Sequence, residues 1–156
     1  MRLWHYKLLQ YLPRQQLLGQ WRECMLIAKN LAEKGTPNHI LVNRILDYPC
    51  WCFDHYVTLV AVALHKRGYE VKEETWNRIE LYIDRWKANR TDKVLYPDAF
   101  TIFENWHDKL YLDQCYYNLS EKHCCGAVPA EEFARFRAAY EDASTDYATN
   151  SYEGEA

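Results

Sequence analysis

The chain has 156 residues, of which 49% are hydrophobic and 26% charged, as is usual for one globular domain with its own core. No apolar run approaches the roughly 20 residues that cross a bilayer, and the N-terminus, with Arg2 and Lys7 among apolar residues, does not resemble a signal peptide. We therefore expect a cytoplasmic protein with no membrane partner. Residues 1–94 hold 15 Lys and Arg against 10 Asp and Glu, and residues 95–156 hold 4 against 12. This asymmetry indicates a basic body with an acidic tail, but charge alone does not identify a partner.

The clearest periodic pattern covers residues 14–34, between Pro13 and Gly35, and predicts one long α-helix. Its apolar stripe comprises Leu17, Leu18, Trp21, Cys24, Met25, Ala28, Leu31 and Ala32. At 100° per residue, Glu23 projects roughly 160° from the centre of that stripe, among polar side chains that include Gln20. A solvated carboxylate is the simplest interpretation. However, Gly19 leaves a gap one turn earlier, which indicates that something approaches this face closely.

Further helices are predicted at residues 39–46, 52–67, 73–89 and 97–113, with a last helix beginning at Pro129. In the fifth, the spacing of Phe100, Phe103, Trp106 and Leu110 predicts that all four face the core. From Ser144 onward the apolar periodicity ends. The fold class expected is therefore all-α: a compact helical domain of five to six helices at residues 1–143, followed by a loose acidic tail at residues 144–156.

The six cysteines raise the question of a metal site. Two groups could supply zinc ligands, namely Cys50, Cys52 and His55, and Cys115, His123, Cys124 and Cys125. Neither group has the CxxC spacing that lets two thiolates bind one tetrahedral ion. We expect reduced, buried thiols and no bound metal.

No Ser/His/Asp arrangement, glycine-rich phosphate loop or HExxH motif is present. One other nucleophile is available to any chain. A free α-amine has a pKa near 8 and is partly neutral at physiological pH, whereas lysine, near 10.4, is not. Held beside a carboxylate, such an amine can act as a nucleophile. Here the terminus precedes the helix that bears Glu23, although Met1 could equally be a frayed end.

Several segments of the N-terminal half carry a family resemblance. They are residues 15–23 (QQLLGQWRE), 38–46 (NHILVNRIL) and 59–69 (LVAVALHKRGY), with weaker matches at 96–99 and 115–117. In order and spacing across residues 1–120 they resemble the pyrimidine-dimer DNA glycosylases of the phage endonuclease V type. No single motif is specific.

The resemblance implies a compact all-α enzyme that cuts DNA at ultraviolet photoproducts. Members attack C1′ of the damaged nucleotide with the N-terminal α-amine, form an imine, and then eliminate the 3′ phosphate as AP lyases. The resemblance implies that Glu23 is the essential glutamate and that Arg22 is a phosphate-binding arginine. It also implies that Gln15 contacts DNA near the lesion and that Arg2 is the basic residue beside the nucleophile. We accordingly expect a monomer that needs no cofactor and acts on double-stranded DNA with photoproducts or abasic sites.

The chain differs from the family pattern at two places. Family enzymes expose a small residue after the initiator Met is removed, whereas here Arg2 follows Met1 and a bulky second residue normally blocks that removal, so the amine would belong to Met1. In addition, Gln16 and Leu26 replace an expected histidine and arginine. Two alternatives therefore remain: a non-catalytic damaged-DNA-binding module on the same scaffold, and a helical protein–protein adaptor.

Overall fold

The computed structural model describes residues 1–90 and 102–150, with side chains through Tyr147. Its helices in chain order are a first 3₁₀ helix, Tyr6–Tyr11, then α1 Arg14–Lys34, a second 3₁₀ helix, Asn43–Asp47, α2 Cys50–Lys66, α3 Glu73–Ala88, α4 Lys109–Cys124 and α5 Ala130–Asn150. The described residues contain no strand. The all-α class predicted from periodicity is confirmed.

The first long helix has the predicted bounds because both ends carry strong signals. Pro13 precedes α1, and Gly35 follows it with φ 70°, a left-handed conformation that glycine adopts without strain. In this conformation the Gly35 N–H donates to the Leu31 carbonyl at 3.0 Å. The helices predicted at 52–67 and 73–89 are also present, with α2 beginning two residues earlier and α3 ending one residue earlier.

The short helix predicted at residues 39–46 is wrong in type and extent. A tight turn over residues 40–42 leads into the 3₁₀ helix at Asn43–Asp47. The reason is local hydrogen bonding, since the His39 carbonyl accepts both the Val42 and the Asn43 N–H at 2.9 Å.

The helix predicted at residues 97–113 is wrong over residues 102–108, which form turns and bends, and is correct only from Lys109 onward. Residues 97–101, including Phe100, lie outside the described part of the chain. Phe103 and Asn105 have φ of 55° and 63°, which an α-helix cannot accommodate. The helix instead begins at Lys109, after Asp108 accepts the Tyr111 N–H at 2.8 Å as its N-cap.

The core predictions made for that segment have a mixed outcome. Phe103 and Trp106 are buried as predicted, but they lie in turns rather than on a helix. Leu110 is 66% exposed, because the shifted start of α4 places it on the solvent side.

The last helix begins after Pro129 as predicted but runs farther. Residues 144–150, which the sequence placed in a loose tail, continue α5 to Asn150. The physical reason is tertiary contact: Asp146 pairs with Lys7 at 2.8 Å, and Tyr147 bonds to the backbone of His107. Residues 151–156 of the predicted tail lie outside the described residues.

The first 3₁₀ helix joins two groups of packed helices, one formed by α1, α2 and α3 and the other by α4 and α5. α1 contacts α2 and α3, α4 contacts α5, and the first 3₁₀ helix lies against both α2 and α5. The largest fully buried side chains include Phe53, Tyr56, Phe103, Trp106 and Phe136. Leu3 is fully buried and Trp4 is 5% exposed in the same core, so the N-terminal segment is a structural part of the domain. Within the described ranges, no helix combines the length and apolarity needed to span a bilayer.

Candidate active site

The first residues of the chain lie along the side of α1 and hydrogen-bond to its side chains. The Arg2 N–H donates to Oε2 of Glu23 at 3.1 Å, and the Trp4 N–H donates to Oε1 of Gln20 at 3.0 Å. Gln20 and Glu23 are three residues apart and therefore neighbours on the helix surface. Gln20 is 1% exposed, although periodicity placed it on the polar face. The N-terminal segment covers that part of the face and takes the place of water.

Two tyrosines hold the same segment from the other side. The Tyr111 hydroxyl of α4 donates to the Leu3 carbonyl at 2.5 Å, and the Tyr56 hydroxyl of α2 donates to the Trp4 carbonyl at 2.8 Å. Buried backbone groups need such partners. Side chains from three helices thus supply the backbone hydrogen bonds that a neighbouring strand would supply in a sheet.

This fixation brings the α-amine beside the carboxylate of Glu23. The Met1 nitrogen lies 3.9 Å from Oε1 of Glu23, while Oε2 accepts the Arg2 N–H. The side chains of Met1 and Glu23 are 14% and 33% exposed. The pair is therefore partly shielded but open to a molecule that enters from solvent.

The amine and Glu23 open into a cleft of about 290 Å³. Its walls come from the N-terminal segment, α1, the turn before the second 3₁₀ helix, and α4; the lining residues are Met1, Arg2, Trp4, Glu23, His39, Leu41, Asn118 and Lys122. Among these residues Glu23 carries the one carboxylate. The amine, Arg2 and Lys122 supply positive charge around it.

Two of these cations lie near the Trp4 ring. The Arg2 guanidinium carbon is 5.9 Å from the ring centroid and Lys122 Nζ is 5.5 Å from it, within cation–π range. The Arg2 side chain also donates to the Gln114 carbonyl at 3.4 Å. Positive charge is thus positioned at the cleft mouth by contacts within the domain, ready to attract an anionic group.

The remaining predicted site residues lie outside the cleft. Arg22 precedes Glu23 on α1 and is exposed, and Gln15 is exposed about 12 Å farther toward the start of the helix. At Gly19, between them, no atom would lie within 4 Å of an added Cβ. Within the described residues no part of the chain fills this gap, which is open to solvent.

A buried histidine pair connects the N-terminal segment to α5. Nδ1 of His5 accepts the Lys7 N–H at 3.3 Å, so its proton is on Nε2, which donates to the His107 carbonyl at 2.8 Å. The Tyr147 hydroxyl donates to the same carbonyl at 2.8 Å. Burial lowers the pKa of His5 to about 4 and holds the pKa of His107 well below its ordinary value. Both rings are therefore neutral at physiological pH.

All six cysteines lie in the described part of the chain, and none of them forms a disulfide. Cys24, Cys50, Cys52 and Cys115 are buried, whereas Cys124 and Cys125 are exposed. Burial raises the pKa of Cys24 and of Cys115, so these thiols stay protonated. Across residues 1–90 and 102–147, no cluster of three or more His, Cys, Asp or Glu could bind a metal ion.

Sequence reasoning missed four polar residues of the site, Gln20, His39, Asn118 and Lys122, and the apolar lining residues Trp4 and Leu41. Asn118 and Lys122 stand four apart on α4, a spacing that places both on one helix face, but nothing in the sequence relates that face to the N-terminus. The sequence does not single out His39 either. It lies in the segment 38–46 that resembles the family, but the resemblance assigns it no individual role.

The fold and this site define a class: an all-α protein whose N-terminal amine is held beside a glutamate at the edge of an electropositive cleft. The family model described as pyrimidine dimer DNA glycosylase matches residues 1–77. This match to residues 1–77 confirms the resemblance noted in the sequence. The matched segment includes all five predicted site residues. Neither a curated protein nor a solved structure gives a significant match. The family supports a general role in DNA repair.

Proposed function

We propose that this protein is a DNA glycosylase with AP-lyase activity that acts on pyrimidine dimers, or a related lesion, in double-stranded DNA. The nucleophile is the α-amine of Met1, and Glu23 is its acid–base partner. The supporting observation is the 3.9 Å separation of the amine and Oε1 of Glu23 at the edge of the cleft. The family match over residues 1–77 supplies the substrate class.

In the first step the neutral amine attacks C1′ of the damaged nucleotide. The glycosidic bond breaks, its electron pair leaves with the pyrimidine, and the pyrimidine takes up a proton. The nitrogen loses a proton to Glu23, which passes it to O4′ as the C1′–O4′ bond breaks and the sugar ring opens to the imine. The carboxylate also stabilises the cationic iminium, as a fixed charge does most effectively where water is partly excluded.

In the second step a proton leaves C2′ and the electrons of that C–H bond expel the 3′ phosphate. Glu23 is beside the nitrogen and is the base that we assign to this proton. Water then hydrolyses the imine, which releases the sugar fragment and regenerates the amine. Neither step needs an oxidant, a reductant or a metal ion, since every electron pair moves within the DNA and the protein.

The surrounding charges are suited to the DNA backbone. Arg2 and Lys122 line the cleft, and exposed Arg22 lies on the same helix as Glu23. We assign phosphate contacts to Arg2 and Arg22, because guanidinium binds phosphate in a bidentate manner. Gln15 contacts the duplex farther along α1. A nucleotide must leave the helix to reach the amine, and this costs least at damaged sites.

Borohydride trapping tests the proposal, because reduction of an imine joins protein and DNA permanently. Wild-type protein should form a covalent adduct with abasic duplex and with irradiated duplex, and mass spectrometry should place the DNA on Met1. Acetylation of the α-amine should abolish the adduct. If wild-type protein gives neither an adduct nor a nick on either substrate, the proposed chemistry is wrong.

Glu23→Gln tests the carboxylate separately. The amide keeps an acceptor for the Arg2 N–H but loses the charge and the proton acceptor. We expect strand cleavage to fall by about 10² to 10⁴-fold while duplex binding persists. Glu33→Gln, an exposed glutamate on the same helix, is the matched control.

Salt-sensitive binding that is indifferent to acetylation would instead identify a non-catalytic DNA-binding module. No binding even at low salt would favour the adaptor.

A further inference from the structure

The turn at residues 38–42 exposes two large aliphatic side chains at the edge of the cleft. Ile40 is 85% exposed and Leu41 is 53% exposed. Leu41 also lines the cleft that contains the amine and Glu23, and Ile40 is next to it on the solvent side. Adjacent branched aliphatic residues in water are unfavourable, because each side chain gains about 1.5–3 kcal/mol when fully buried. Their exposure beside a candidate active site suggests that a ligand covers them.

The turn is held in shape from within. Asn38 has φ 58°, and the His39 carbonyl accepts the Val42 and Asn43 N–H groups, both at 2.9 Å. The Asn43 side-chain oxygen accepts the His39 N–H at 3.1 Å. Val42 is fully buried and anchors the turn in the core. Ile40 therefore projects from a fixed backbone rather than from a loose loop.

The same turn is connected to the helix that bears Glu23. Asn30 of α1 donates from Nδ2 to the Pro37 carbonyl at 3.1 Å, just before the turn begins. Pro37 is itself buried. The position of Ile40 is thus fixed relative to the catalytic helix, which a residue that contacts the substrate requires.

We propose that Ile40, supported by Leu41, is a wedge that enters the base stack of duplex DNA at the lesion and holds the displaced nucleotide in the cleft. This inference rests on the proposed function. Its basis is chemical complementarity: the cleft edge pairs an apolar tip with the cations Arg2 and Lys122, and duplex DNA pairs an apolar base stack with flanking phosphates. Proteins that kink DNA use apolar side chains in this way and offset the unstacking with new contacts.

A comparison of duplex and single-stranded substrates tests the wedge. An abasic site in a single strand offers no paired stack to part, so only the duplex reaction needs the wedge. Ile40→Ala should lower the ratio of duplex to single-strand adduct formation by roughly tenfold, the factor given by about 1.4 kcal/mol. Leu81→Ala is the matched control, since Leu81 is 66% exposed on α3 and does not line the cleft. An unchanged ratio for Ile40→Ala, or an equal loss on both substrates, overturns the wedge.

A second measurement does not depend on catalysis. With 2-aminopurine placed beside an abasic site in duplex DNA, wild-type protein should increase the fluorescence on binding, because the probe loses its stacking partner. Ile40→Ala should remove most of this increase, and Leu81→Ala should not. If wild-type protein forms no adduct on abasic duplex DNA, the proposed chemistry fails, yet the fluorescence still decides the wedge. Loss of self-association in Ile40→Ala, with normal fluorescence, would show that the turn binds a second copy instead.

Discussion

Replacing Gln20 with leucine should displace the N-terminal amine without touching a catalytic group. The Gln20 side chain accepts the Trp4 N–H at 3.0 Å, and both residues are at most 5% exposed. Leucine has a similar size but no acceptor, so the Trp4 N–H would be buried without a partner. Such a group costs about 1–3 kcal/mol, and the added apolar burial offsets part of it. A net loss of about 1–2 kcal/mol corresponds to a Tm decrease of roughly 2–8 °C for a chain of this length.

The effect on chemistry should exceed the effect on stability. The amine is three residues before Trp4, and a misplacement of about 1 Å can cost 10²-fold in rate. Thermal unfolding and single-turnover borohydride trapping measure the two effects, and duplex affinity should stay close to that of wild type. Gln15→Leu, an exposed glutamine on the same helix, is the control for stability. If Gln20→Leu keeps both the wild-type Tm and the wild-type trapping rate, Gln20 does not position the amine.

The remaining predictions concern the core and its histidines. Since burial lowers the pKa of His5 to about 4, the unfolded chain, with histidine near 6.5, takes up the proton first as pH falls. The free energy of unfolding should therefore decrease by about 3 kcal/mol from this residue between pH 6.5 and 4. Urea titrations should show a flatter pH dependence in His5→Gln, and an unchanged slope would contradict this. Phe136→Ala, which removes a fully buried ring packed on Trp4 and Tyr116, should cost about 3–5 kcal/mol in the same assay. Leu110→Ala, at a 66% exposed position, should change stability by less than about 0.5 kcal/mol, and a larger loss would mean that Leu110 is buried after all.

The sequence predicts helices well where the signal is local. α1 is defined by its own periodicity and by Pro13 and Gly35 at its ends, and no distant residue is needed. The helix predicted at 97–113 fails for the opposite reason. Phe103 and Trp106 have helical spacing, but their burial comes from packing against Tyr48 and His107, not from a helix. Asp108 was the local signal for the true start of α4.

The residues of the candidate site also divide into those that the sequence identifies and those that only tertiary packing identifies. Glu23 can be singled out from helix geometry and the family resemblance, and Met1 from its place just before the helix. The polar groups that position them could not be found in this way. From the sequence, Gln20 is expected to face solvent, whereas in the structure the backbone of Trp4 covers it. Lys122 lines the cleft only because α4 packs beside the N-terminal segment. These contacts depend on tertiary packing between distant segments, which periodicity does not encode.

The His5–Tyr147 contact has a consequence for how the site comes into being. His5 leaves the ribosome well before Tyr147, whose hydroxyl lies 3.1 Å from Nε2 of His5 and which follows His5 by 142 residues. At about 5–20 residues per second this interval is roughly 7–28 s. Throughout it His5 lacks this contact with α5, although Gln20 and Glu23, which accept the N–H groups of Trp4 and Arg2, have already been synthesised. The N-terminal segment therefore gains its complete set of contacts, and the proposed site its final form, only after α5 has been synthesised.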